Sequence, residues 1–314
     1  MSGNAGVIRY LVGPDLAGNR LDRSLFLLLG LPRRRVKALL AEGFIWLNGK
    51  ACRVAAKKLK LGDVIDLLPG VTPQKWPSPT PPPLPILYED GWWVAIVKPA
   101  GMASQPARKR LPGELSAWEH LTLQLSYREG HRLQLHVVHR LDRVASGVML
   151  AAKHHDAAGF ASRAFRENLA EKVYLAVVTG NPKAQGTISA PVAPDPLSPG
   201  RFQVSPRGKK AVTHFRTLAR SDTFGLLEVR PQSGRTHQIR VHLQAVGCPI
   251  VGDSLYGSHY PAPRPLLHAF RLSLPHPKGG QIQLEAPLPE DFVSFCQTHG
   301  FALPAQKLTA LSLP

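Results

Sequence analysis

The chain has 314 residues, and its 39 Lys and Arg against 21 Asp and Glu give a formal net charge of +18. That length is ample for two domains, and so large a positive excess selects for a polyanionic partner, nucleic acid before an anionic membrane. No apolar run reaches a membrane span, the opening "MSGNAGVIRYLVG" lacks the apolar segment of a signal peptide, and Cys52, Cys248 and Cys296 have no metal-ligand spacing, so the expectation is a soluble, cytoplasmic protein without a membrane partner.

In chain order, "RLDRSLFLLLG" predicts a first helix with Leu21, Leu25, Leu28 and Leu29 on one face. "PRRRVKALLAEG" predicts a second, with Pro32 near its first turn and Gly43 as its C-cap. Its apolar residues Val36, Leu39 and Leu40 point inward, which turns Arg33, Arg34, Arg35 and Lys37 outward. "FIWLNGKACRV" predicts a hairpin turning at Asn48-Gly49, and "LGDVIDL" closes the unit. Residues 1–70 hold twelve Lys or Arg and five Asp or Glu. Over about residues 18 to 66 this arrangement resembles the RNA-binding module named after the fourth small-subunit ribosomal protein. The resemblance implies that Arg33, Arg34, Arg35 and Lys37 grip phosphates, which supplies affinity and register but little sequence information.

"VTPQKWPSPTPPPLP", residues 71 to 85, has seven prolines from Pro73 to Pro85 and predicts a semi-rigid spacer. The expected organisation is therefore a small module over 1–70, a linker over 71–85, a larger domain over 86–300 and a tail over 301–314. The larger domain reads as strands with helices between. "WWVAIVKP" and "KVYLAVVTG" have the β-branched and aromatic content of strands, and "HDAAGFASRAFRENLAEK" has helical period. "GKKAVTHFRTLAR" and "GLLEVRP" predict neighbouring strands; "THQIRVHLQAVG" predicts a helix with Thr236 as N-cap, ended by Gly247. Between them "HRLDRVASGVML" sets Asp142 between Arg140 and Arg143, just before the buried strand "GVMLAA", with Gly147 suited to a tight turn. An acid on a rigid rim serves as nucleophile or base, although an acid flanked by arginines is also a common turn cap or ion pair.

"HRLD…SGV", "KVY", "GRTHQIRVHL" and "GxPIxGDxxYG", with "VAIVKPAGMASQP" and "LLHAFRLSLPHP" on either side, resemble the RluA branch of the pseudouridine synthases over about residues 86 to 290. That resemblance implies an α+β fold: a mixed, largely antiparallel central sheet flanked by helices, with the small α+β RNA-binding domain in front. It implies a monomer that isomerises uridine to pseudouridine in RNA without cofactor or metal. Large-subunit ribosomal RNA is the expected substrate, with transfer RNA as the alternative. Asp142 would be the essential carboxylate, and Arg240 its charge partner, since a guanidinium nearby favours the ionised acid. Arg235 is the second candidate for that pairing, or a phosphate ligand. Tyr174 would stack on the flipped base and could help remove the proton from carbon 5. Arg140 would fill the gap the nucleotide leaves, or hold a phosphate. Two positions depart from the usual pattern, Ala145 and Ser233, each standing where the family usually has Thr. Two rival readings use the same residues: a metal phosphodiesterase built on His136, His139, Asp142, His237 and His242, and an RNA binder that has lost its chemistry.

Overall fold

The computed structural model describes residues 7–29, 31, 33–69, 71, 83–106, 114–129 and 131–303. Pro32, the linker prolines between residues 72 and 82 and the tail beyond residue 303 lie outside the described residues. The chain divides into two compact units, Met1–Leu84 with Gln105–Leu135 and Pro85–Ser104 with His136–Pro314. No helix among the described residues is long and apolar enough to cross a membrane.

The first unit runs β1 (Ile8–Leu11), α1 (Leu21–Leu29), α2 (Arg33–Ala41), β2 (Ile45–Leu47), β3 (Lys50–Ala51) and β4 (Val64–Leu67). Its four strands form an antiparallel sheet in the order β1-β4-β2-β3. Leu21, Leu25 and Leu29 of α1 and Val36, Leu39 and Leu40 of α2 pack on Ile45, Ile65 and Leu67 of that sheet, with Leu28 half-buried at the edge. Because α2 spends its apolar face on this core, Arg33, Arg34, Arg35 and Lys37 are left exposed. The β2–β3 hairpin turns on Asn48 (φ 54°) and Gly49 (φ 75°), the two left-handed residues that a two-residue hairpin loop requires.

Within the span 86–300, the stretch Gln105–Leu135 folds with this N-terminal unit. It carries α3 (Ala117–Glu129), which opens on a reciprocal cap: the Ser116 N–H donates to Glu119, and the Glu119 N–H donates to the Ser116 hydroxyl. Arg9 donates to the Tyr127 carbonyl (3.3 Å), and the Arg132 N–H donates to the Asn48 side chain (2.9 Å), tying α3 to β1 and the hairpin.

The second unit holds β5 (Ile86–Glu89), β6 (Trp93–Lys98), β7 (His136–Val137), β8 (Ser146–Ala152), α4 (His155–Arg166), β9 (Glu171–Thr179) and β10 (Gln185–Ser189). A short ribbon of β11 (Val192–Pro194) and β12 (Phe202–Val204) follows, then β13 (Val212–Arg220), β14 (Phe224–Pro231), α5 (Gln238–Ala245), β15 (Leu267–Pro275), β16 (Gln281–Glu285) and α6 (Glu290–Thr298). The ten-stranded sheet runs β10-β13-β14-β9-β15-β8-β6-β5, with β16 beside β15 and β7 beside β8. All its pairs are antiparallel except β8 with β15. The mixed, largely antiparallel sheet expected from the sequence is therefore present.

Strand β9 shows why the sheet reads as nearly continuous apolar sequence. Ala176 and Val178 face the core under α5, while Leu175 and Val177 face the core under α6, so both sides of the strand are covered. Helix α4 covers β6, β8 and β15 with Ala157, Ala161 and Ala164, and Phe160 and Phe165 sit at its margin. It stops at Arg166 instead of running on through "ENLAEK". Asn168 turns left-handed (φ 58°), Leu169 and Ala170 both donate back to the Ala164 carbonyl, and Glu171 and Lys172 join β9. The tight fit of Gly147 has a different origin from a turn. It lies inside β8 at φ 122°, where a Cβ would sit 2.2 Å from the Ala269 carbonyl oxygen of β15.

Candidate active site

The loop "HRLDRVA", residues 139–145, enters β8 and is held from beneath. The buried Ser104 hydroxyl donates to the Leu141 carbonyl (2.7 Å) and accepts the Leu141 N–H (2.9 Å). The buried Lys98 ammonium donates to the carbonyls of Pro99, Met102 and Arg143. Burial pushes Lys98 down to about 7, and the charge of Asp142 pulls the other way. The Ala145 N–H closes a turn on the Asp142 carbonyl (3.1 Å). His139 accepts the Leu150 N–H at Nε2 (2.9 Å) and lies against the Phe165 ring, and burial holds it down to about 4. A neutral histidine thus packs under the loop, and the Asp142 side chain is left facing outward.

Arg240 approaches from the third residue of α5. Its Nε and Nη2 donate to the two carboxylate oxygens of Asp253 (2.6 and 2.9 Å), and its Nη1 lies 3.6 Å from Asp142 Oδ2. The side chains of Arg240 and Asp253 are 5% and 1% exposed, against 23% for Asp142, so Asp142 is the member of the trio open to a ligand. Burial lowers the pKa of Arg240, but the bonds to Asp253 and the charges of both acids outweigh it and raise it. The Tyr256 ring covers the guanidinium, 4.8 Å from its centre.

Asp253 and Tyr256 both belong to the "GDxxYG" motif, whose residues carry no evident task in the sequence; the structure makes them the floor and wall of the arginine. Tyr256 also reaches outward. Its oxygen accepts the Phe202 N–H (3.0 Å) and shares a hydrogen bond with His237 Nδ1 (2.8 Å).

The start of α5 corrects the expected cap. His237, at φ 55°, occupies the N-cap position without a side-chain bond to the helix backbone, and Thr236 lies before it. The Gln238 side chain turns back on the preceding loop, where its Oε1 accepts the Arg235 N–H (3.0 Å) and the Ser233 hydroxyl (2.7 Å). Thr236 instead accepts a hydrogen bond from Arg140 Nη2, which ties the Asp142 loop to the α5 turn.

Tyr174 stands on β9 opposite Ala269, where β15 slips register between Ala269 and Arg271. Burial, with the Asp142 charge second, pushes its phenol well above the ordinary tyrosine range, so it remains a neutral O–H. Asp142, Arg140, Tyr174, Arg235 and Thr236 line one cleft that is open to solvent. Arg240 lies behind it. Arg33, Arg34, Arg35 and Lys37 belong to the other unit, exposed on α2. The rival histidine set is dispersed: His136 neighbours His155, His139 lies under the loop, and His242 bonds Thr213 and the Ala190 carbonyl. Among the described residues no three His, Cys, Asp or Glu are grouped to hold a metal.

Comparison with known proteins points to one chemistry. The family model "RNA pseudouridylate synthase" matches residues 93–245, and the model "S4 domain" matches residues 19–65. An uncharacterized RNA pseudouridine synthase of Chloroflexus aurantiacus is 39% identical over 90% of this chain and 90% of its own length. The ribosomal large subunit pseudouridine synthase D of Nitrosomonas europaea is 34% identical over 94% of this chain and 88% of its own. Among solved structures, human RNA pseudouridylate synthase domain containing 4 is 27% identical, with a TM-score of 0.58 over 70% of this chain and 95% of that one.

Proposed function

The chain belongs to the RNA pseudouridine synthase family, and from that premise we propose that it isomerises uridine in large-subunit ribosomal RNA with Asp142 as the essential carboxylate. The observation that carries the assignment is the buried Arg240, fixed by Asp253 and Tyr256, whose free edge lies 3.6 Å from Asp142 at the mouth of the cleft. A guanidinium held by two partners cannot swing away, so the acid meets its substrate at a fixed place.

In the reaction the bond from ribose to N1 of uracil breaks, the base turns, and a bond from the same sugar carbon to C5 forms. The proton leaves C5 and N1 gains one, so nothing is consumed. Asp142 acts at the sugar or the base, and Tyr174 packs beside the extruded ring. Because the Tyr174 phenol stays protonated, it enters as a neutral wall and O–H donor, and the C5 proton passes to a carboxylate or to water. The ribosomal target is favoured by relatives named for the large subunit, including the Nitrosomonas europaea synthase, which align along nearly the whole chain.

The test is carbodiimide mapping of pseudouridine in total RNA from the source cell with and without the gene, complemented by the intact gene or by Asp142→Asn. The expected result is loss of a discrete stop in large-subunit RNA, restored by the intact gene alone. A stop lost from transfer RNA moves the substrate to the alternative. Restoration by Asp142→Asn overturns the assignment of the carboxylate, and no change at any position favours an RNA binder without chemistry.

A further inference from the structure

A second cleft opens beside the first. It is open to solvent and is lined by Phe165, Arg166 and Asn168 at the end of α4, by Lys210 to Val212 at the start of β13, and by Gln232 to Arg235. Ser233, Gly234 and Arg235 line both clefts, so the two share a wall. The lining holds three cations, Arg166, Lys210 and Arg235, and no carboxylate.

All three cations are exposed. Arg235 spends its Nε on the Lys210 carbonyl (3.0 Å), which fixes its stem and leaves the other guanidinium donors over the cleft. Among the described residues neither Arg166 nor Lys210 has an ion-pair partner, although elsewhere in this unit Arg163, Arg216, Arg230, Arg264 and Arg271 each have one. The carbonyl end of α4 would repel an anion, but two N–H groups return to the Ala164 carbonyl and blunt it. Uncompensated cations around one concavity are the chemistry of a phosphodiester site.

Resting on the synthase reading, the geometry points to this cleft as the subsite for the nucleotide adjoining the target uridine, with Arg166, Lys210 and Arg235 holding its phosphate. The shared wall at Ser233–Arg235 then places consecutive nucleotides of one strand in consecutive clefts. The contact is sequence-independent, and it anchors the strand on one side while the uridine is turned out of the stack.

The experiment uses the full chain and an unmodified transcript of large-subunit ribosomal RNA, with affinity measured by filter binding across a salt series. Arg166→Ala with Lys210→Ala is compared with Lys183→Ala with Lys278→Ala, which removes the same charge from exposed sites outside both clefts. The expected result is an affinity about tenfold or more lower in the first pair. Its salt slope should fall by about 0.7–0.9, the change for one phosphate no longer neutralised, while the second pair binds like the parent. Equal losses in both pairs, or no loss in the first, overturn the subsite. Because the readout is binding, it stands apart from the mapping experiment: a protein that modifies no uridine can still show the phosphate site, and an active one can lack it.

Discussion

At the scale of single residues, the site is a chain of constraints ending at one carboxylate. Asp253 and Tyr256 fix Arg240, and Arg240 faces Asp142. Asp253→Asn keeps the shape and one acceptor but removes the buried charge that balances the guanidinium. Misplacement of this kind costs about 10²-fold in turnover, and the RNA affinity should stay within about twofold of the parent. Release of the C5 proton from labelled RNA, measured beside filter binding, checks both; unchanged turnover would mean that Arg240 is positioned without Asp253. Asp142, Tyr174 and Arg240 stood out in the sequence as candidates because each sits in a short, recognisable motif, and the structure brings them to one place. The supports were not, although "GDxxYG" was in plain view. A motif names residues but not their partners, and the contact that gives Asp253 its task is made only when α5 lies over the sheet. The left-handed His237 was equally hidden, since few non-glycine residues adopt that conformation and nothing local demands it.

At the scale of elements, α2 is divided between a buried apolar face and four exposed cations. Its periodicity alone revealed that division, because Val36, Leu39 and Leu40 fall on one side of a 3.6-residue repeat. Replacing Arg33, Arg34, Arg35 and Lys37 by Ala should weaken RNA binding and lower the salt slope by about 0.7–0.9 for each phosphate no longer neutralised. The melting temperature should hardly move, since exposed positions contribute within about 0.5 kcal/mol. An unchanged slope in a salt titration would remove α2 from the RNA surface. This substitution is a cleaner probe than deleting residues 1–70, which would strip α3 of its bonds to β1 within the same unit. The place of α3 could not be read from the sequence. It lies between β6 and β8 in the chain, and its attachment depends on long-range bonds such as Arg132 to Asn48.

At the scale of the whole molecule, two buried neutral histidines make stability depend on pH. Burial brings His268 and His139 down to about 4 from an ordinary 6.5. The unfolded chain therefore binds more protons than the folded one between those values, so stability is full above about pH 6.5 and is lost as pH falls toward 4. For the fully buried His268 the loss is on the order of 2–3 kcal/mol. Denaturant melts of the parent and His268→Gln across that range should show a flatter pH dependence in the variant; parallel curves would exclude His268 as the source. His268 also marks a narrow joint in the sheet, between β8 and β15. Strands β8 and β15 meet through only the pairs Ser146–His268 and Ala269–Gly147, reinforced by the Ser146–His268 side-chain bond (2.9 Å). Asp142 enters on one side of that joint, and Tyr174 and the core beneath α5 lie on the other. The pairing spans 122 residues of chain, a distance whose closure is slow to form. During synthesis at about 5–20 residues per second, the carboxylate leaves the ribosome several seconds before Arg240 and Asp253. On the proposed assignment, a nascent chain therefore carries Asp142 without the arginine that faces it, and its activity waits until its last third has been made and has zipped across the seam.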